Sequence, residues 1–305
     1  MENAIIKTLS YFDLFNQPLT LKELRMFLWG KVCENEKEFE IAWQNLLATS
    51  RIENSGEYYF LPGRLEIVSK RRKSSEATIG KLKIARRAAK LIRSVPFVRA
   101  IFACNSVGAG AATAESDIDL FVITAPGRIW IVRLFTNLIL RFFGMRTYGE
   151  RRADKICLSF FVDFNHLNFS SWRVANDDVY LAYWLYQLTA LYDPDSHYER
   201  LLAANGWARE FLPNASKRAE NFSESHISRL GAGWRNVWEK MWGKAYGDLL
   251  EKQAKAFQWQ KLKLSLKDAA GRGDGAVIIK EGIIKLHEND RRAEYREKWN
   301  AKTAS

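Results

Sequence analysis

The chain has 305 residues, 47% of them hydrophobic and 13% aromatic, which suffices for a sizeable buried core and excludes a disordered tail. Its 47 Lys and Arg against 35 Asp and Glu leave a formal net charge of +12, an excess that favours nucleic acid, nucleotides or an anionic membrane surface as partner. Cys33, Cys104 and Cys157 are odd in number, widely spaced and free of any Cys-x-x-Cys, which argues against a disulfide framework or a zinc site.

Residues 4–15 carry Ile5, Leu9 and Phe12 at helical spacing, and Pro18 ends the pattern. Thr20 is an expected N-cap with Glu23 as its capping-box partner, leading a helix through Leu24, Phe27 and Leu28. A third helix is expected over 36–49. Asn54-Ser55-Gly56 then sits between two short apolar stretches, the signature of a hairpin turn. Three short helices and a hairpin give residues 1–63 a winged-helix-like layout. Two readings of it stand: nucleic-acid contact through the third helix, or a packing module. Glu36, Glu38 and Glu40 at the start of that helix oppose contact with phosphates.

Residues 64–93 are basic and amphipathic. Ile79, Leu82, Ala85, Ala89 and Ile92 predict the inner face, and Lys70 to Lys73, Lys81, Lys83, Arg86, Arg87, Lys90 and Arg93 the outer one. Such a helix is a solvated surface or a rail for a phosphate backbone, so RNA or DNA along 70–93 is an expected partner. Next come a strand over 98–104, a turn, a strand over 118–124, an apolar helix over 128–143 and a strand over 155–162. The helix is interrupted by Arg133 and Arg141 and is shorter than the roughly twenty apolar residues of a membrane span, so it reads as a buried core helix and no membrane partner is expected. Met1-Glu2-Asn3-Ala4 lacks the pattern of a secretion signal, which places the expected location in the cytoplasm.

Beyond residue 170 the chain reads as almost wholly helical, with helices over 177–191, 196–211 and 225–265. Val277 to Leu286, with Glu281-Gly282 at its middle, reads as a hairpin. Trp234, Trp238 and Trp242 recur every four residues, a helix-packing stripe. The expected class is α/β (α+β): a mixed-sheet core over 64–170 behind its leading basic helix, with 1–63 before it and a helical part over 171–305 after it.

The chemistry concentrates in two segments. Asp117 and Asp119 are two apart at the head of a strand, so both carboxylates face one way, roughly 7 Å apart at Cα. Paired anions raise each other's pKa, and a bound hard cation gives the pairing a purpose. Ahead of them, Asn105-Ser106-Val107-Gly108-Ala109-Gly110 offers a hydroxyl and small residues whose amides can approach phosphate oxygens. If the flanking strands are antiparallel, turn and carboxylates share one end of the sheet.

Asn105-Ser106 with Gly110, followed by Ser116-Asp117-Ile118-Asp119-Leu120, resembles the DNA polymerase β-like nucleotidyltransferase superfamily, whose signature is Gly-Ser followed about ten residues later by a hydrophobic-flanked Asp-x-Asp. The match covers about twenty residues directly, and the strand–helix order extends it over 97–163. The resemblance implies a transferase that moves an NMP from an NTP to a hydroxyl of RNA, protein or a small molecule. Asp117 and Asp119 would hold Mg²⁺ or Mn²⁺, while Asn105, Ser106, Gly108 and Gly110 would form the phosphate turn. Two positions depart from the pattern. Asn105 stands where the family has Gly, although Asn tolerates positive φ. Active members usually carry a third carboxylate on the next strand, where this chain offers only Asp154 at its start and Asp163 at its end. If the crossover helix makes the strands parallel, Asp154 lies at the active end and is the expected activator of the attacking hydroxyl. The alternative is a catalytically impaired protein of this fold that binds nucleotide or nucleic acid as a regulator. Arg128 is expected to be structural.

Overall fold

A computed structural model describes residues 1–147, 152–216, 229–262, 264–272, 277–286 and 290–304. At the amino end stand α1 (Glu2–Asp13), β1 (Leu19–Thr20), α2 (Leu21–Met26), α3 (Glu36–Ala48), β2 (Glu53–Ser55) and β3 (Tyr58–Phe60). The Thr20–Glu23 capping box forms as expected: each side chain accepts from the other residue's backbone amide, and α2 starts there. Strand β3 lies between β1 and β2, antiparallel to both.

Helix α4 (Glu66–Ile92) precedes β4 (Val98–Ala103), α5 (Asn105–Ala109), β5 (Ile118–Thr124), α6 (Ile129–Phe142) and β6 (Ile156–Asp163). After these follow α7 (Val179–Gln187), β7 (Thr189–Tyr192), α8 (His197–Ala204) and α9 (Trp207–Phe211). The chain closes with α10 (Arg229–Trp242), α11 (Ala245–Lys261), α12 (Leu264–Arg272), β8 (Val277–Lys280), β9 (Ile283–Leu286) and α13 (Arg292–Ala304).

Six strands form one mixed sheet in the order β7-β4-β5-β6-β9-β8. Strands β4 and β5 are antiparallel, while β5 and β6, joined by the crossover helix α6, are parallel. These are the two pairings on which the expected placement of the turn, the carboxylate pair and Asp154 depended. Each residue of β5 is buried, as a central strand covered on both faces requires.

The reading of 171–305 as helical needs correction. Strand β7 and the hairpin β8–β9, three of the six strands, come from that stretch. The hairpin was expected from Glu281-Gly282. Strand β7 was read as the end of a helix, because Thr189-Ala190-Leu191-Tyr192 continues an unbroken apolar run and periodicity alone does not separate a buried strand from a buried helix. The helices expected over 196–211 and 225–265 each divide, at Asn205-Gly206 and at Gly243-Lys244; residues 225–228 lie outside the described residues.

Helix α4 also differs from its predicted faces. Ala85, Ala89 and Ile92 are buried, but Ile79 is 57% exposed, and Lys81, expected outside, is 2% exposed. Lys81 turns inward because three acceptors await its ammonium: the carbonyls of Ala114 and Ser116 and the Asp154 carboxylate, at 3.0, 2.7 and 2.8 Å. Arg71 likewise leaves the outer face to meet Gln17 and Glu23. Lys70, Arg72, Lys73, Lys83, Arg87 and Lys90 remain exposed.

One apolar cluster runs through all three stretches of the chain. It joins Ile5, Phe12 and Leu46 to Phe102, Phe121 and Phe160 of the large sheet and to Tyr183, Leu201 and Trp299. Tyr11 stacks on Tyr183 with centroids 4.0 Å apart, and the Tyr183 hydroxyl donates to the Phe27 carbonyl at 3.0 Å. At about 1.5–3 kcal/mol for each fully buried large side chain, this shared core docks the first helices against the sheet. The opposite face packs on α4, α6 and α11 through Ala88, Ile92, Ile131, Val132 and Ala254. Helix α6 is buried all round its first turn, Ile129 to Val132, whereas Phe142 at its other end is 85% exposed. Among the described residues no helix is long and apolar enough to cross a membrane.

Candidate functional site

Strand β4 ends at Ala103, and the chain turns sharply through Asn105, whose φ is 52°. Asn is among the few residues that accept this region readily, so the departure from Gly leaves the turn intact. The single short helix α5 follows and stops at Gly110, which caps it at φ 77°. Gly108 has a second constraint: a Cβ there would stand 2.6 Å from the Ala103 carbonyl oxygen and 3.0 Å from that of Gln187. The turn therefore lies directly against the backbone of β4 and α7.

The segment 111–117 is pinned from both sides. Ala111 N–H donates to the Ser106 carbonyl at 2.7 Å, and Lys81 holds the carbonyls of Ala114 and Ser116. Asp117 thus arrives at the head of β5 in a fixed place, with Asp119 two residues on. Asn105 Nδ2 donates to Asp119 Oδ2 at 2.9 Å, and Asn105 Oδ1 accepts from Trp184 Nε1 at 3.0 Å. Asn105, which stands where the resembled signature has Gly, thus orients a carboxylate.

Strand β6 lies parallel to β5 with Cys157 opposite Asp119. Asp117, Asp119 and Cys157 each offer a donor atom, and these atoms lie within 4.8 Å of one another. Parallel pairing puts Asp154 at the same end of the sheet, as expected, but not in this group. Its φ is 60°, its carboxylate is engaged by Lys81, and its side chain is 60% exposed. Asp163 sits at the other end of β6, opposite Thr124, where it accepts from Gly127 and Asn165 amides and from His166. The place on the next strand facing the carboxylate pair belongs to a thiol.

Burial, together with the Asp119 carboxylate, pushes the Cys157 thiol up to about 12 against the pull of Ser159 and Arg146, so it is protonated at neutral pH. Two carboxylates suit a hard cation, whereas a thiol is a soft donor. The three groups have the atoms for a metal ion without selecting its identity.

These residues open into a cavity of about 1100 Å³. Ser106, Asp117, Asp119 and Cys157 line it, together with Arg133, Arg146, Arg152, Lys261, Lys285, Arg291 and Arg292. Phe15, Trp172, Tyr180, Trp184 and Tyr295 supply aromatic faces, with Tyr180 and Tyr295 stacked at 5.5 Å. Local pattern does not mark the cationic lining: Arg133 interrupts an apolar helix, and Lys285 and Arg292 come from far along the chain. Arg128 is structural as expected: it is buried, donates to Trp242 and Gly127 carbonyls, and pairs with Asp248.

No family model, no curated protein and no solved structure matches the chain.

Proposed function

We propose that the chain is a metal-dependent nucleotidyltransferase that moves an NMP from an NTP to a hydroxyl acceptor. The carrying observation is the carboxylate pair Asp117–Asp119 beside the Ser106 turn, inside a cavity lined with cations and aromatic faces. Carboxylates alone repel a triphosphate; carboxylates, a turn of small residues and several guanidinium groups together accommodate one once a cation intervenes. Mg²⁺ or Mn²⁺ on Asp117 and Asp119, with the protonated Cys157 outside its coordination, would neutralise the phosphates and the departing oxygen.

The chain's own residues divide the remaining work. Asn105 fixes Asp119, and Ser106 with nearby amides receives the β- and γ-phosphates. Trp184, Tyr180 and Tyr295 offer π-faces for a base. The acceptor oxygen bonds to the α-phosphorus, its proton passes to a carboxylate oxygen or water, and the bond to the bridging oxygen of pyrophosphate breaks. Asp154, held by Lys81, serves as a tie between α4 and the loop before β5 rather than as the base.

One observation favours a second reading. Cys157 stands where an active member of the resembled family would present a carboxylate, and this suits a protein that binds nucleotide without turnover. Pyrophosphate release separates the two. Each NTP is incubated with Mg²⁺ or Mn²⁺ and with pools of RNA, protein and small hydroxyl compounds. Release that disappears in Asp117→Ala/Asp119→Ala supports transfer. Metal-dependent nucleotide binding with no release from any pool selects the second reading, and absence of both contradicts the two together.

A further inference from the structure

We propose that Arg133 and Arg146 form a second anion subsite in the cavity, and that it receives the phosphate of the acceptor, a small hydroxyl-bearing phosphomonoester. The acceptor assignment rests on the transferase reading; the anion subsite does not.

The first argument is position. Across the sheet the Ser106 turn follows β4, the carboxylates head β5, and Cys157 lies on β6. Arg146 bridges Ile156 from the side of β6 away from β5, and its Nη1 donates to the Ile156 carbonyl at 2.8 Å. The carboxylate pair therefore has a phosphate turn on one flank and a guanidinium on the other. A triphosphate on the Ser106 flank leaves the second flank to another molecule. The cavity, at about 1100 Å³, exceeds the roughly 300–1000 Å³ usual for one ligand.

The second argument is charge. Arg133 and Arg146 are half-buried, and among the described residues neither forms an ion pair with a carboxylate. Arg133 gives Nη1 to the neutral Gln258 Oε1 at 2.7 Å and lies 6.0 Å from the Trp130 ring centroid, and its buried Nε has no acceptor. Among the described residues Arg146 likewise bonds neutral acceptors: Asn137 Oδ1 at 2.6 Å, Thr147 Oγ1 at 2.8 Å, the Ile156 carbonyl, and the Cys157 thiol. Burial and the neighbouring Arg146 charge pull Arg133 down to about 10, still protonated at neutral pH. Arg128 and Arg292, the buried arginines among the described residues, each meet carboxylates. The Asp119 and Asp117 carboxylates favour the Arg146 charge from a distance, but with no carboxylate in direct contact a half-buried like-charged pair gains when an anion joins it. Planar guanidinium forks suit phosphate oxygens. Because both groups line the cavity, the anion that fits them comes with a small molecule and not with a polynucleotide backbone.

In the reaction this phosphate is a spectator. The acceptor hydroxyl bonds to the α-phosphorus and pyrophosphate leaves, while the Arg-bound monoester is unchanged.

Calorimetry on the full chain tests the subsite with inorganic phosphate as probe, with and without Mg²⁺ and a saturating non-hydrolysable NTP analogue. Phosphate is expected to bind once per chain in both conditions. Arg133→Gln and Arg146→Gln should each weaken phosphate about tenfold or more and leave the analogue within about twofold. If a Gln variant unfolds, the Lys variant, which keeps the charge and loses the fork, reads the same position. Phosphate displaced by the analogue, or affinities for both falling together, would overturn the proposal by making the pair part of the triphosphate site. Unchanged phosphate affinity in both variants would overturn it as well. If phosphate binds through the arginines while the analogue does not bind, the subsite stands and the transferase reading fails. Glycerol phosphate should displace the probe better than a 5′-phosphorylated oligonucleotide; the reverse order excludes the small-molecule acceptor.

Discussion

Asn105 does two things at once: it takes the positive φ that the turn after β4 demands, and it ties Trp184 to Asp119. Asn105→Ala loses both bonds and keeps the strained backbone, so it should cost about 2–4 kcal/mol in urea unfolding. Asn105→Gly relieves the backbone and should recover part of that stability, yet metal-dependent nucleotide affinity should stay low in both. Recovery of affinity by Gly would show that the side chain does not orient Asp119. Cys157→Asp tests the neighbouring place. A third carboxylate opposite Asp119 adds repulsion without metal, so its Tm should fall below that of the parent in chelator and rise more steeply on adding Mg²⁺. A Tm indifferent to Mg²⁺ would remove Cys157 from the metal's surroundings. Asp117 and Asp119 were legible in the sequence because alternation along a strand is local. Cys157 was not, because its partnership with Asp119 depends on a strand register that shifts between Asp119 and Phe121.

At the scale of elements, α4 is fastened to the site by Lys81. Lys81→Met removes bonds to two carbonyls and one carboxylate and should cost about 3 kcal/mol, with weakened metal binding as the loop before Asp117 loosens. Asp154→Asn should cost less than about 1 kcal/mol, since its carboxylate is mostly in water, and should leave the rate of transfer nearly unchanged. A large loss of rate in Asp154→Asn, with stability retained, would restore it as the base. The order and type of elements from 98 to 163 followed from apolar runs and turn residues. The inward turn of Lys81 did not, because the carbonyls that attract it belong to a loop thirty-odd residues later. The strand nature of 189–192 was hidden for a related reason: a strand buried between β4 and the helices carries no polar alternation to mark it.

The molecule as a whole is closed by its last residues. Helix α13 lies against α1, with Trp299 donating to the Lys7 carbonyl and Lys302 pairing with Asp13, while β9 extends the sheet beside β6. Asp290 joins these parts to the cavity wall. Burial pushes its carboxyl up, but bonds from Arg292 and the Lys285 charge outweigh that and hold it at about 2, below its ordinary 3.8. A depressed carboxylate contributes stability that is complete above about pH 4 and is lost as pH falls toward 2. Asp290→Asn should therefore flatten the stability profile between those values, and an unaltered profile would show that the contact does not support the fold. The hairpin that carries β9 was legible in the sequence; the docking of α13 on α1 was not, because a contact between residues 7 and 299 leaves no trace in local pattern.

Whether Asp117 and Asp119 use a metal to hold a nucleoside triphosphate in this cavity is decided by calorimetric titration of a non-hydrolysable NTP analogue with Mg²⁺ and with chelator. Binding should require Mg²⁺ and disappear in Asp117→Ala/Asp119→Ala while the variant remains folded. No binding by the parent chain, or binding unaffected by the double substitution, would contradict that role of the pair.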